Sequence, residues 1–426
     1  MWWAFLRACH ACTFLVVFAT TSVARAADAD EPTGELTLTT AVAAALRGNP
    51  DLAASAYALS AAEARITQAA LHPNPELDLE LENFAGSGVA QGVDVLETTL
   101  RLSQVVELGG KRGLRVSAAQ ADLDVLTLEQ RARELDVLAE LTRRFVDVAA
   151  AQERLRVSVE AATLAQRSLD AIAARVAAAR SPEVERSRAS IALTRARIER
   201  RQAESQLQGA RVALSASWGS PVPRFTAVRA NLFELPRALA FDDLARRIDQ
   251  TPELLRFASD ARLKAAELQL ARAQARPNLA FALGVRRLDA TNDAALVAGF
   301  SMPLPLSDRN QGAIREAQAR ASESQALRDA ALVRMRAALF SLHQELEATQ
   351  ARVESLRNDA LPEAQLALEQ TRSGYERGRF SFLELATAQE ELLAIRAAAI
   401  DAAADYHRLF VELERLTGAA LVQTER

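Results

Sequence analysis

The chain is 426 residues long with a formal net charge of −4, and its two cysteines, Cys9 and Cys12, both lie at the extreme N-terminus. A mildly acidic chain argues against nucleic acid as a partner. With no cysteine beyond position 12, nothing remains for structural disulfides or thiolate metal ligands, so packing or assembly must hold the protein together.

Residues 1–26 are predicted to be a secretory signal. Arg7 supplies the positive charge, 12–19 an apolar run, and Ala24-Arg25-Ala26 a small-x-small cleavage site. The alternative is a retained anchor, for which the run is short against ~30 Å of hydrocarbon. Cleavage removes Arg7 and Arg25 and no acid, taking the charge to −6.

A short helix is predicted over 38–46. Asn49-Pro50-Asp51 then stops it and starts another over 52–71, which His72-Pro73-Asn74-Pro75 ends. From Glu76 to Glu82 acidic residues alternate strictly with Leu77, Leu79 and Leu81, the period of a strand with two different surroundings. A glycine-rich loop over 84–94 and a second alternating run over 98–103 complete a hairpin, about 76–108, closed by Glu107-Leu108-Gly109-Gly110-Lys111-Arg112.

From 114 to 180 there is neither proline nor glycine. An unbroken helix of that length spans roughly 100 Å, far too long for a globular core. Its apolar residues Leu138, Leu141, Phe145, Val148, Leu155 and Val159 step by threes and fours, with Gln152 intervening, as in one seam of a coiled coil. Ser181-Pro182-Glu183 turns the chain into a helix over 184–218, stopped by Gly219-Ser220-Pro221.

The same programme then repeats. A short helix over 239–248 precedes Thr251-Pro252-Glu253, and Arg276-Pro277-Asn278 stands where His72-Pro73-Asn74 stood. A second hairpin is predicted over about 278–305, with Leu279, Phe281, Leu283 and Val285 on one face. A long helix follows from 312 to 372, interrupted at Pro362. A turn over 378–382 and a last helix ending at Thr417-Gly418 complete the chain. The predicted organisation is a signal (1–26), a first repeat (27–235) and a second (236–426). In each repeat two shorter helices laid end to end match one long one.

Each alternating run is about the length that crosses a bilayer when tilted. Four strands are too few to close a barrel, and open edges in lipid leave backbone groups unpaired, so several chains must pool their strands. The bland alternative is an ordinary amphipathic sheet with its acidic face in water.

The duplicated helix-hairpin-helix unit resembles the TolC family of outer membrane efflux proteins along essentially the whole mature chain. His72-Pro73-Asn74-Pro75-Glu76-Leu77, Glu82-Asn83-Phe84 with Gly86-Ser87-Gly88, Leu102-Ser103-Gln104 and the Glu107–Arg112 run resemble its heavy-metal branch, and Tyr375-Glu376-Arg377-Gly378 with Phe382-Leu383-Glu384-Leu385 resembles its second turn. The resemblance implies a mainly α protein with a small β part: a homotrimer with a periplasmic α-barrel tunnel capped by a 12-stranded transmembrane β-barrel, four strands per chain, in outer membrane lipid. It implies a duct fed by an inner-membrane proton-driven pump of the RND type through a periplasmic adaptor. Glu384 and Gly378 fall at the tunnel tip, and Tyr375 with Glu183 where a tyrosine and an acid tie neighbouring helices shut. The first turn, 178–183, lacks the family's glycine and is read as one or two residues short, and Thr387 stands where a further acid is common.

No catalytic residues, metal ligands or cofactor are predicted. His72, His343 and His407 are widely separated, and Gly109-Gly110-Lys111 lacks the upstream glycine and Ser/Thr of a phosphate loop. If Leu77, Leu79 and Leu81 face lipid, then Asp78, Glu80 and Glu82 face the lumen, partly offset by Arg101 and Arg286, where acids lower the energy of a passing cation. The simpler reading is ordinary lumen polarity. Carboxylates of Glu384 from three chains could ring the tunnel mouth, or be solvated helix-surface residues. The competing function is a periplasmic adaptor or coiled-coil scaffold without a pore.

Overall fold

A computed structural model describes residues 31–418; the predicted signal lies outside them. Two hairpins, β2 (Glu76–Glu82) with β3 (Glu97–Val106) and β5 (Leu279–Leu288) with β6 (Asp293–Ser301), join through β3 and β5 into one antiparallel sheet of order β2-β3-β5-β6. Directly paired residues share a face, so Leu79, Leu100, Val285 and Leu296 form one apolar row and Leu77, Leu102, Leu283 and Ala298 the next. No described residue covers this face: Leu77 is 69 % exposed and Leu296 81 %. Gly284 is required at the seam between hairpins, since a Cβ there would lie 2.5 Å from the Leu100 carbonyl oxygen. Among the described residues the outer strands β2 and β6 each keep one edge without a strand partner.

Below the sheet runs α3 (Lys111–Ala177), flanked on one side by α2 (Pro50–Ala69) and α4 (Glu183–Ala216), on the other by α6 (Pro252–Gln274) and α9 (Phe382–Thr417). The shorter helices do stack end to end. At one junction Asn49 caps α2 through the Asp51 and Leu52 amides and donates from Nδ2 to the Ser217 carbonyl, 2.9 Å away at the end of α4. At the other, Gly418 at the end of α9 lies against Thr251 and Pro252 at the start of α6.

Ion pairs step antiparallel along α3 and α9: Asp136–Arg415 at 3.0 Å, Arg143–Glu412 at 2.9 Å, Asp147–Arg408 at 2.6 Å and Glu160–Arg396 at 3.0 Å. Part-exposed pairs contribute about 0–1 kcal/mol each, so the ladder sets helix register more than stability.

The second long helix is α7 (Gln311–Ser355), a π-helical turn (Leu356–Ala360) and α8 (Leu361–Glu376). The break therefore precedes Pro362 rather than falling on it. Proline has no N–H and its ring crowds the carbonyl four residues back, so the wider turn absorbs the misfit and leaves Pro362 in the first turn of α8.

The core sits mid-rod. There Leu141, Phe145 and Val148 of α3 pack with Leu36, Trp218, Phe225 and Ile400. Here α1 (Leu38–Gly48) lies on α3, and β1 (Gly34–Leu36) pairs in parallel with β4 (Phe225–Val228), strands too short to announce themselves by alternation. The expected α3 seam holds as far as Val148 and then shifts, because the helix period is not 3.5: Val157 is buried and Val159 is 43 % exposed. Gln152 is no intruder, since its amide accepts from the Val228 N–H at 2.7 Å and donates to the Val228 carbonyl at 3.0 Å, clamping β4.

The linker that leads to α5 (Phe241–Ile248) is strapped across the rod by its own carbonyls. His407 Nε2 bonds Leu232 O at 2.9 Å, Arg357 donates to Phe233 O at 3.1 Å with its guanidinium 4.7 Å from that ring's centre, and the Tyr406 hydroxyl donates to Pro236 O. Burial holds His407 below its ordinary value of 6.5. A histidine depressed on folding is protonated first in the unfolded chain, so stability is lost as pH falls below about 6.5. Unfolding in detergent should shift to lower temperature between pH 7.5 and 5.5, and His407→Gln, which keeps a donor but cannot titrate, should flatten that shift.

Candidate functional site

The sheet's second face carries the charge. Asp78 pairs with Arg101, and Arg101 Nε lies 3.8 Å from Asp78 and its Nη2 3.9 Å from Glu80. Arg286 reaches Glu82 at 3.0 Å and Glu97 at 2.8 Å. Asp78, Glu80 and Glu82 thus share one face with Arg101 and Arg286, as the alternation requires. Glu97 and, at the far end of the same row on β6, Asp293 join them. Sequence reasoning missed both by starting each return strand too late, although Glu97 has the parity of Thr99 and Arg101. The β6 side of this face is Ala295, Val297, Gly299 and Ser301, too small to cover an acid. Among the described residues no three or more His, Cys, Asp or Glu side chains converge on a metal site. A cation would meet these acids in succession, without a cage.

Where sheet meets rod, the Gly109-Gly110-Lys111 run is a strand-to-helix turn. Both glycines have positive φ (80° and 70°), and a Cβ on Gly109 would meet Arg276 Cδ at 2.8 Å. Lys111, largely buried, donates to the Arg276 carbonyl and to Asn278 Oδ1, each at 2.6 Å, tying the first hairpin to the second. His72 is held by Arg112 at 2.6 Å, and Glu107 by a forked pair with Arg115.

At the far end two turns close the helical hairpins. Gly378 takes a left-handed conformation (φ 73°) and donates to the Tyr375 carbonyl, while the Arg379 N–H bonds the Gly374 carbonyl. The first turn is built alike: Ala179 (φ 53°) donates to the Val176 carbonyl and the Arg180 N–H bonds the Arg175 carbonyl. Both turns place four steps between helix C-cap and next N-cap, Ala178 to Pro182 and Arg377 to Ser381, so within this chain the first is not the shorter. It forces alanine into the place of the missing glycine.

Tyr375 is buried with Ile172, Ala189, Phe382 and Leu385, under the Arg175 guanidinium 4.8 Å from its ring centre. The acid beside it is Glu185, not Glu183. Glu183 is exposed and pairs with Arg186 one turn along α4; two residues before Glu185, it lies about 200° round the helix axis from it and so faces away from Tyr375. The Tyr375 hydroxyl and one Glu185 oxygen are both sealed from water without a well-formed hydrogen bond among the described residues. Burial, then the Glu185 charge, raise Tyr375 above its usual range, so it stays a neutral phenol. Glu185 could have been found as the repeat counterpart of Glu384, each the third residue of its helix.

Glu384 itself is exposed and closes a capping box. The Ser381 hydroxyl accepts from the Glu384 N–H at 3.3 Å, and the Glu384 carboxylate accepts from the Ser381 N–H at 2.7 Å. The Ser381 N–H first, and then the Ser381 hydroxyl, which also donates to that carboxylate at 2.9 Å, hold Glu384 below the usual carboxylate range, so the cap weakens as pH falls through that lowered value.

A left-handed alanine costs about 1 kcal/mol against glycine. Ala179→Gly should therefore stabilise its turn by about that amount, and Gly378→Ala should destabilise the other by as much. Amide exchange in the last turns of α3 and α8 should slow in the first variant and quicken in the second.

The family model described as outer membrane efflux protein matches residues 41–220 and 246–419. The chain is 29 % identical over 388 residues to the cobalt-zinc-cadmium resistance protein CzcC of Cupriavidus metallidurans, covering 91 % of each. It is 25 % identical over 300 residues to the nickel-cobalt-cadmium resistance protein NccC of Alcaligenes xylosoxydans xylosoxydans, covering 70 % of this chain and 68 % of that one. Its fold is similar to a CusC crystal structure at TM-score 0.74, with 18 % identity over 90 % of this chain and 92 % of that one. It is also similar to the outer membrane protein VceC of Vibrio cholerae at TM-score 0.71, with 20 % identity over 90 % and 97 %. With two matched segments that take in both helical hairpins and both strand hairpins, the chain belongs to the outer membrane efflux protein family.

Proposed function

We propose that three copies of this chain, each built of repeats 27–235 and 236–426, form a passive outer membrane duct for heavy-metal cations. An inner-membrane proton-driven pump of the RND type delivers the cargo through a periplasmic adaptor docked at the tip turns. The observation that carries this is the four-stranded sheet: one face apolar and uncovered, the other acidic, both edges unpaired, standing on helices of tunnel length. In lipid the apolar face is solvated and the edges must pair. A pore-free scaffold in the periplasm would leave that face in water. The protein should therefore co-sediment with outer membrane and resist release with the periplasm. The metal-resistance names of CzcC and NccC support the cargo class.

On this reading Asp78, Glu80 and Glu82 face the lumen, with Glu97 beside them, and acids exceed the two arginines on the same face. A surplus of fixed negative charge favours cations over anions in the pore. Replacing Asp78, Glu80 and Glu82 together by asparagine should bring the cation-to-anion permeability ratio in single-channel recordings down toward one. An unchanged ratio would sink the lumen assignment.

At the tip, Tyr375 packs beside Glu185 and against Ile172 and Ala189, joining the second hairpin to the first, Gly378 shapes the turn, and Glu384 caps α9 at the tunnel mouth, where carboxylates from three copies attract divalent cations. Glu183 remains at the rim as an adaptor-facing charge. Tyr375→Phe with Glu185→Gln should raise the open fraction in the same recordings. Glu384→Gln, which still caps the helix, should relieve block by divalent cations, and unaltered block would remove Glu384 from the gate.

A further inference from the structure

We propose the strand register by which one copy joins the next: β6 of one chain pairs antiparallel with β2 of its neighbour, placing Ser301 opposite Asp78, Phe300 opposite Leu79, Gly299 opposite Glu80 and Val297 opposite Glu82. The inference rests on the trimeric reading above and adds what that reading lacks, the residues at the seam.

The internal duplication supplies the argument. Within one chain the return strand of the first hairpin pairs with the outgoing strand of the second, β3 with β5. The same step repeated once more brings β6 to a neighbour's β2, since these are the two edges of the sheet left open among the described residues. His72-Pro73-Asn74 and Arg276-Pro277-Asn278 precede β2 and β5 at equivalent points, which sets Asp78, Leu79 and Glu80 against Ala282, Leu283 and Gly284. In the two hairpins Leu79 pairs with Leu100 and Leu283 with Ala298, so Leu100 corresponds to Ala298, Leu102 to Phe300 and Ser103 to Ser301. The observed pairs Leu102 with Leu283, Ser103 with Ala282 and Arg101 with Gly284 then translate into those proposed.

Both faces accept this register. Outside, Phe300 and Ala298 continue the apolar rows onto Leu79 and Leu81, burying backbone that lipid cannot hydrate. Inside, the neighbour's acids lie beside Val297, Gly299 and Ser301, none of which carries charge. The arginines belong to β3 and β5, on the other side of the acids. Each seam between copies therefore carries a column of carboxylates neutralised from one side only.

Engineered cysteines read this directly, because Cys9 and Cys12 are the only native ones and can be replaced by serine. Within a chain β2 and β6 are three strand spacings apart, about 14 Å. A disulfide needs Cα atoms within about 7 Å, so any bond between them joins two chains. The full-length protein in native outer membranes, carrying Asp78→Cys with Ser301→Cys, should oxidise to a covalent ladder ending at three times the chain mass, at least ten-fold more abundant than with either single cysteine. Glu80→Cys with Gly299→Cys should do the same, so that poor geometry at one pair does not decide the matter. If Glu80→Cys with Ser301→Cys, or Glu76→Cys with Ser301→Cys, links in preference to both, the copies join by these edges in a shifted register and the proposal is overturned while the trimer stands. If no pair links although amine cross-linking of the unsubstituted protein gives trimers, the edges do not meet and the proposal is wrong. If amine cross-linking gives monomers, the trimeric duct itself fails.

Discussion

Backbone hydrogen bonding in a solvent that offers none is the constraint on which this structure depends. The four-stranded sheet satisfies its three internal seams and, among the described residues, leaves β2 and β6 with open edges. Each unpaired amide or carbonyl held in hydrocarbon costs several kcal/mol, far more than the fraction of a kcal/mol from any surface ion pair in the rod. A chain whose apolar rows run across all four strands is thereby committed to lipid, and through its edges to copies of itself. Duplication meets that commitment economically, because the interface that joins one repeat to the next within the chain can serve again between chains.

The helices turn a local sheet into a long object. A single helix of the length of α3 has no core of its own, and two shorter helices end to end on each side give it one. The joints between the short helices fall mid-rod, which is also where the buried aromatic and aliphatic side chains concentrate, where β1 and β4 pair, and where the linker between repeats is strapped by His407, Arg357 and Tyr406. The weakest points of the stack, its helix ends, are thus covered by the densest packing. Toward the tip the buried cluster among the described residues is a small one around Tyr375.

Much of this was legible from residues alone, and the reason is periodicity. Strict alternation from Glu76 to Glu82 leaves one assignment of faces, because a slip of one residue would exchange them all. The long stretch without proline or glycine leaves one reading of α3, and proline-containing boundaries at Asn49-Pro50 and Thr251-Pro252 start α2 and α6 where expected. Beyond the α3 seam after Val148 and the first residues of the return strands, what failed were features without a period. The β1–β4 pair spans too few residues to alternate, Gln152 looked like a flaw in the seam because its partner lies far along the chain, and the break ascribed to Pro362 sits one turn earlier. The tyrosine's companion at the tip was taken as Glu183 when it is Glu185, since the choice depends on which face of a helix turns inward, and that is decided by packing.

The sequence by itself determined the order of the long elements, the duplication, the two-faced strands and the shared face of Asp78, Glu80 and Glu82, because each follows from spacing along the chain and the fixed geometry of helix and strand. The tertiary structure alone decided which strand lies beside which, how Arg101 and Arg286 divide their charge among four carboxylates, that Lys111 bridges the two hairpins, and that Ala179 takes a glycine's conformation. Those are contacts between residues far apart in the chain or choices among backbone conformations of similar energy, and only the packing of the whole molecule selects among them.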